Sequence, residues 1–306
     1  MSKLTFKTSI DFVYGKPKIM VPGVRRIVAN NPSSFTFKGT NTYIVGQGND
    51  VAVIDPGPKD DYHYAAIMAA TVSKQITHIF VTHTHLDHVD GLKRLAEATG
   101  ATICGCSHSM CHGNFDSRSM VYNVSSDVQV FPTIQLYHGS QVNGSDWSLT
   151  AIFTPGHAPD HLCFELKGTG ILFSGDHVMG WSTSLIAPPE GHMGDYFASL
   201  EMLARRNDVV YYPGHGGQIE QPKRLVKAYI LHRKVREKII LAAVQNGCCT
   251  ITDIVTHTYK RHDPNLTKAV LLTVQAHIEH LSQQKLVNID CPVTKNSRIV
   301  ASKVAR

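Results

Sequence analysis

Short apolar runs punctuated by glycine-rich turns fill the first two-thirds of the chain. TNTYIVG (40–46) and VAVIDPG (51–57) are rich in β-branched residues and flank QGND, which predicts a hairpin. YHYAAIMAAT (62–71) predicts a helix and THIFVTH (77–83) a buried strand. GLKRLAEATG (91–100) predicts a helix ended by Gly100, and ATICGC (101–106) another strand. SLTAIFTPGH (148–157), CFELKGTGILFSGDH (163–177) and VVYYPGHG (209–216) follow, each β run ending in a glycine-containing turn beside a His or Asp. Strands alternating with helices give a mixed α/β class, and two sheets with helices outside them would stack as a four-layer αββα sandwich.

After Pro222 the pattern becomes helical. RLVKAYILHRKVREKIILAAVQNG (224–247) is one long amphipathic stretch ended by Gly247. TITDIVTHTY (250–259) predicts a short helix capped by Thr250 or Thr252. LTKAVLLTVQAHIEHLSQQKLV (266–287) predicts a second long helix, and IDCPVTKNSRIVAS (289–302) a small hairpin. Three helices and a hairpin suggest a small winged-helix domain, so we divide the chain into 1–218 and 219–306.

Composition fits this division. A chain of 306 residues, 42% hydrophobic and 18% charged, has room for one large domain and a small one. No apolar run reaches the roughly 18 residues of a membrane-spanning helix, so no membrane partner is expected. The start, MSKLTFKTSIDFVYGKPK, lacks an apolar signal core, and Asp11 argues against a transit peptide, so we expect a cytoplasmic protein. Seven cysteines, an odd number without a framework, fit reduced thiols. Residues 1–217 carry 15 Lys+Arg against 18 Asp+Glu, a net of −3, whereas 218–306 carry 15 against 6, a net of +9. The basic tail fits a polyanionic partner or simply a solvated helical surface.

The chemistry gathers in VTHTHLDHVDGL (81–92), where His83, His85, Asp87 and His88 crowd the end of an apolar run. On an extended segment His83 and His85 share a face, and the turn beyond adds Asp87 and His88. His157 in TPGH, Asp176 in FSGDH and His215 in YPGHG each follow a β run and a glycine. Five histidines and two aspartates suit two metal ions with one bridging carboxylate, a pair able to hold a hydroxide between them. The set contains no thiolate, so it reads as a catalytic rather than a closed structural site.

THTHLDH resembles the HxHxDH signature of the metallo-β-lactamase superfamily, and His157, Asp176 and His215 match its later ligand positions in order, over residues of about 35 to 217. The resemblance implies that His83, His85 and His157 hold one metal, Asp87, His88 and His215 the other, and that Asp176 bridges them. It makes Asp87 and Asp176 catalytic and implies zinc, with manganese or iron also compatible with such ligands. Asp55 in VIDPG resembles the family's aspartate behind the ligands, orienting a ligand or only shaping a turn. The chain has the second histidine and the bridging aspartate that the family's antibiotic-degrading members usually lack. The 38 residues between Asp176 and His215 are too few for the inserted domain of its mRNA-processing nucleases.

Within the superfamily, NNPSSFTFKGTNTYIVG (30–46), TPGHAPDH (154–161), PGHG (213–216) and the helical tail resemble the group of beta-lactamase-like protein 2 and its bacterial relatives. That group includes a single-strand-selective endoribonuclease and proteins filed with hydroxyacylglutathione (glyoxalase II-type) thioesterases. Two enzyme readings follow: hydrolysis of an RNA phosphodiester, with the basic tail holding the strand, or hydrolysis of a small thioester or ester. A third makes the chain a winged-helix nucleic-acid-binding regulator. Winged helices also serve as dimer surfaces, so a homo-oligomer is compatible with this tail. His161 and His177 are candidate proton donors or packing residues, and Asn41 a candidate substrate contact or turn former. CGCSHSMCHGNF (104–115) has no knuckle spacing, so Cys104 and Cys106 are expected to pack on a strand. SRSMVYNVSSD (117–127) reads as a polar loop at the rim of the site.

Overall fold

The computed structural model describes residues 5–106, 132–259, 263–290 and 293–302. The reading of 117–127 as a rim loop, and Cys111 with its neighbouring histidines, lie outside the described residues.

Alternation along the strands builds the layers. In β3 (Asn41–Val45), Tyr43 and Val45 enter the core between two sheets, while Ile44 joins the outer cluster. In β4 (Asp50–Ile54), Ala52 and Ile54 point inward and Val51 and Val53 outward. With both faces covered, such runs are almost continuously apolar. The first sheet has the order β1 (Lys18–Val21), β2 (Val24–Val28), β3, β4, β5 (Gln75–Phe80), β6 (Thr102–Gly105) and β7 (Ile134–Gln135). It is antiparallel from β1 to β4 and parallel from β4 to β7. The second contains β8 (Gln141–Asn143), β9 (Ser148–Phe153), β10 (Leu162–Leu166), β11 (Ile171–Gly175) and β12 (Val210–Pro213), in the order β12-β11-β10-β9-β8. Only its β11–β12 pair is parallel.

Aromatic rings lock the sheets together: Phe80 meets Phe164 edge-on at 5.1 Å, and Tyr43 lies 5.0 Å from Phe173. Each such side chain contributes about 1.5–3 kcal/mol by leaving water. Helices α1 (Asp61–Ala70) and α3 (Leu92–Thr99) cover the outside of the first sheet through Ile67, Leu92 and Leu95. Helix α4 (Met193–Arg205) and the first half of α5 (Pro222–Gln245) cover the second through Tyr196, Leu200, Val226 and Tyr229. The αββα sandwich is therefore present. Cys104 and Cys106 both pack in the inter-sheet core.

The second half of α5, α6 (Ile251–Thr258), α7 (Thr267–Gln283) and the antiparallel ribbon β13 (Val287–Ile289) and β14 (Ile299–Ala301) enclose a separate core around Ile240, Ile254, Val274, Ile278 and Ile299. Thr250 is the cap of α6, its side chain accepting from the Asp253 amide. Helix α5 belongs to both cores, and the Tyr229 hydroxyl clamps it to the sandwich by donating to the Met179 and Ser182 carbonyls. No helix among the described residues is long and apolar enough to cross a membrane.

Two elements end earlier than their patterns predict. The strand predicted over 77–83 stops at Phe80, where pairing with Ile54 and Cys104 ends. His83 and His85 therefore sit in the loop beyond it, His85 as the residue capping the short α2 (Leu86–Val89). The helix predicted over 266–287 stops at Gln283, because Lys285 at φ 60° turns the chain into the ribbon.

Candidate metal centre

Four segments beyond strand ends bring the candidate ligands together. His83 Nε2 lies 3.0 Å from His85 Nδ1, and His157 Nε2 lies 3.1 Å from the same atom. Asp87 Oδ2 lies 3.2 Å from His215 Nε2 and 3.3 Å from His88 Nε2. Asp176 reaches both groups, with Oδ2 3.3 Å from His215 Nε2 and 3.7 Å from His157 Nε2, and Oδ1 3.6 Å from His88 Nε2. The donor atoms form three overlapping clusters, His83–His85–His157, His83–His88–Asp176 and Asp87–His88–His215, each within 4.8 Å. That is a donor set for two ions sharing one carboxylate.

The surroundings fix which nitrogen of each ring is free. His157 Nδ1 donates to the Leu185 carbonyl at 2.6 Å, and His215 Nδ1 to the Gly39 carbonyl at 3.2 Å. His88 Nδ1 donates to Asp55 Oδ2 at 2.9 Å. Each bond leaves an Nε2 lone pair facing the shared centre, as ligands require. His88 Nε2 and Asp176 Oδ1 are buried and carry no hydrogen bond, positions that a cation would satisfy. The residues fit a dinuclear centre of N/O ligands, and this donor set alone does not select the metal.

Electrostatics agree with this. Burial disfavours charge on His215, but Asp176 and Asp87 outweigh it and raise the imidazole to about 9. His88 behaves alike: burial opposes its charge, and Asp87, Asp176 and Asp55 raise it well above its usual range. Asp176 and Asp87, despite burial, are held well below the ordinary carboxylate range by His215 and His88. Burial and the neighbouring His85 push His157 down to about 4, and burial with His88 pushes His83 well down. Ionised carboxylates are thus interleaved with imidazoles in the metal-free protein, and metal uptake displaces protons from the latter.

The supporting residues have local reasons. Asp55 sits at φ 51°, a left-handed conformation that aspartate tolerates. From there Oδ1 accepts the Thr82 amide at 2.8 Å, and Oδ2 accepts the Thr82 hydroxyl at 2.8 Å as well as His88. Asp55 therefore orients the ligand His88 and holds the start of the loop that carries His83. Gly214 is required by contact: a Cβ there would stand 2.5 Å from Asp176 Oδ1 and 2.8 Å from His88 Cε1.

Three candidates take supporting positions. Asn41 is buried, and its amide donates to the Pro213 and Gly216 carbonyls at 2.8 and 2.9 Å. It pins the turn that presents His215 and is not among the residues lining the cavity at the cluster. His161 is fully buried, with Nδ1 2.8 Å from the Thr154 hydroxyl and Nε2 accepting the Asp176 amide at 3.2 Å. Both nitrogens are engaged, so it supports the Asp176 turn and has no nitrogen free to protonate a leaving group. His177 is likewise fully buried, packs 4.7 Å from the Tyr196 ring, and is pushed down to about 3 by burial and by His157, which disfavours the charged imidazolium.

Residues that the sequence pattern did not disclose complete the shell. Glu190 Oε2 lies 3.5 Å from His85 Nε2, on the side away from the cluster. Thr40 donates to Asp87 Oδ2 at 3.3 Å, and Asn31 holds Thr40 through its amide and hydroxyl. Asn31 and Thr40 flank the SSFTFKG segment, a cue that was visible; Glu190 stands in no motif.

A cavity of ≈ 580 Å³ opens on the cluster, touching His85, Asp87, His157, Asp176 and His215. Phe35, Leu86, Met179, Trp181 and Leu185 form apolar walls, and α5 and α7 supply the remaining side.

The ligand order, the two sheets and the cavity at their loop edge define a metal-dependent hydrolase with a donor set suited to a pair of ions. Residues 35–215 match the family model described as the metallo-beta-lactamase superfamily, and the chain belongs to that superfamily as a metal-dependent hydrolase. Among its relatives, the beta-lactamase-like protein 2 homolog of Drosophila melanogaster is 31% identical over 271 residues, covering 87% of this chain and 89% of the relative. The atrochrysone carboxyl ACP thioesterase of Aspergillus fumigatus is 32% identical over 235 residues, covering 74% and 67% respectively. A beta-lactamase domain protein from Burkholderia ambifaria shares the fold with a TM-score of 0.78 at 17% identity, over 95% of this chain and 96% of that one.

Proposed function

We propose that the chain hydrolyses a small acyl thioester or ester. The observation that carries this reading is the cavity of ≈ 580 Å³ beside the ligand cluster, with Phe35, Leu86, Met179, Trp181 and Leu185 forming an apolar part of its wall. Its volume lies in the range of about 300–1,000 Å³ typical of small-molecule sites. An acyl chain gains by entering such a space, whereas a polyanionic strand loses its hydration there. The thioesterase relative supports the same class. Two bound divalent ions, zinc in our reading, supply Lewis acidity and an activated water. His83, His85, His157, Asp87, His88 and His215 would hold them, with Asp176 reaching both. Asp55, the Leu185 carbonyl and the Gly39 carbonyl keep three imidazoles in the ligating tautomer.

RNA phosphodiester hydrolysis is the second reading, favoured by Arg233, Arg236 and Lys268 on the cavity wall. Two lysines of the basic tail support it less. Lys234 pairs with Glu201 at 3.3 Å, Lys223 donates to Asn207 at 3.0 Å, and neither lines the cavity. We read the C-terminal helices and ribbon, 219–306, as a winged-helix-like domain that walls the pocket, in a cytoplasmic enzyme.

Metal-reconstituted protein assayed on acyl thioesters of N-acetylcysteamine and on a single-stranded RNA oligomer tests the choice. We expect turnover of the thioesters. RNA cleavage with no thioester turnover would refute the reading.

A further inference from the structure

The hydrolytic centre leaves one wall of the cavity unexplained. Arg233 lines it at 2% exposure, its guanidinium donating to the Ser184 carbonyl and lying 5.5 Å from the Tyr196 ring centroid. Its Nε carries no hydrogen bond, and among the described residues no carboxylate pairs with it. Arg236, three residues on along α5, lines the same cavity with its guanidinium carbon 4.3 Å over the Tyr259 ring, again without a carboxylate partner among the described residues. Lys268 of α7 lines it too. Among the described lining residues the carboxylates are Asp87 and Asp176, both set against the ligand histidines. His232, on the same wall, is pushed down to about 4 by burial and by the charges of Arg233 and Arg236, and so adds no compensating group.

A buried guanidinium without a counter-charge is costly, and it is retained where a partner arrives from outside. Stacking on Tyr259 holds the Arg236 fork in place, and such a fork matches a carboxylate or phosphate in two parallel bonds. Arg233 grips the carbonyl of Ser184, and the next carbonyl along the chain, Leu185, fixes His157. The cationic wall is therefore tied to the ligand cluster through a single loop.

We infer that Arg236, with Arg233, forms an anion subsite for a carboxylate or phosphate that the substrate carries in addition to its scissile carbonyl. This rests on the thioester reading above and narrows it to acidic thioesters.

Two measurements separate the two ideas. In the first, hexanesulfonate, an anion with an apolar tail and little affinity for metals, is titrated calorimetrically into metal-loaded full-length protein. One equivalent should bind, Arg236→Gln should weaken it about tenfold or more, and Arg236→Lys should recover part of the loss. No binding to the wild-type protein, or equal binding to Arg236→Gln with its thermal midpoint unchanged, overturns the subsite. In the second, kcat/KM is compared for S-pentanoyl-N-acetylcysteamine, S-glutaryl-N-acetylcysteamine and S-pentanoyl-phosphopantetheine. Preference for glutaryl identifies a carboxylate and preference for phosphopantetheine a phosphate, and Arg236→Gln should reduce that preference about tenfold. If the neutral ester is turned over as well as both acidic ones, the subsite falls while the thioesterase reading stands. If sulfonate binding depends on Arg236 yet no thioester is cleaved, the subsite stands and the thioesterase reading falls.

Discussion

Replacing Asp55 by Asn should empty half of the metal centre while leaving the fold almost untouched. Asp55 Oδ1 accepts the Thr82 amide, and Oδ2 accepts both the Thr82 hydroxyl and His88 Nδ1–H. Asparagine tolerates the left-handed φ of 51° and fills the same volume. Its carbonyl oxygen must take the Thr82 amide, a donor that cannot rotate, which places the NH₂ where Oδ2 stood. The Thr82 hydroxyl can turn to accept from it, but His88 Nδ1 then faces a donor and must give up its proton. The imidazole responds by carrying its proton on Nε2, the atom 3.3 Å from Asp87 Oδ2 and directed at the ligand cluster. Trading a charged acceptor for a neutral one should cost about 1–2 kcal/mol of stability. Loss of the ligating tautomer should lower metal affinity about 10–100-fold, or about 1.4–2.7 kcal/mol. The assay is a competition titration with a chelator, with elemental analysis of protein equilibrated at fixed free zinc. We expect about two ions per chain in the wild type and about one in Asp55→Asn at intermediate zinc. Two ions of wild-type affinity in the variant would refute the tautomer argument.

Other substitutions probe the same centre and the tail. Asp176→Ala removes a carboxylate within reach of both His157 and His215, so turnover should fall about a hundredfold or more with the far-ultraviolet spectrum preserved; wild-type kcat would contradict a shared ligand. Gly214→Ala places a methyl 2.5 Å from Asp176 Oδ1, an overpacking that should cost about 1–3 kcal/mol and reduce metal content, both read by thermal unfolding with and without zinc. Glu237, between α5 and α7, accepts from His280 at 2.7 Å; burial would raise it, but His277 and His280 bring it down to about 2. Its depressed carboxyl therefore contributes stability that is present above the ordinary value of 4.5 and lost as pH falls toward about 2. Glu237→Gln should unfold earlier at pH 7, by about 1–2 kcal/mol after allowing for solvent screening, and should lose less stability than the wild type on acidification; parallel pH–stability curves would exclude this role.

What could be read from the sequence was what local spacing dictates. TNTYIVG and VAVIDPG are legible as strands because they are continuous β-rich runs, but only the packing shows that Tyr43 and Val45 face the inter-sheet core and Ile44 the outer cluster. His83 through His88 is a cluster within one loop, so its chemistry is visible without a fold. His157, Asp176 and His215 could be found because each follows a strand and a glycine, and strand ends in one sheet come together. The roles left open are those that depend on ring orientation. Gly156 marks His157 in TPGHAPDH, but nothing there shows that His161 turns back to Thr154 and the Asp176 amide. Charge shows the same limit. The excess in 218–306 is legible, but which cations meet the cavity depends on how α5 is rotated about its axis. That rotation is set by Val226 and Tyr229 packing on the sandwich and Ile240 and Val244 packing on the C-terminal core. With those positions fixed, Arg233 and Arg236 face the cavity while Lys234, between them, reaches Glu201 on the surface. Net charge is a sum over faces, and a substrate meets only one of them.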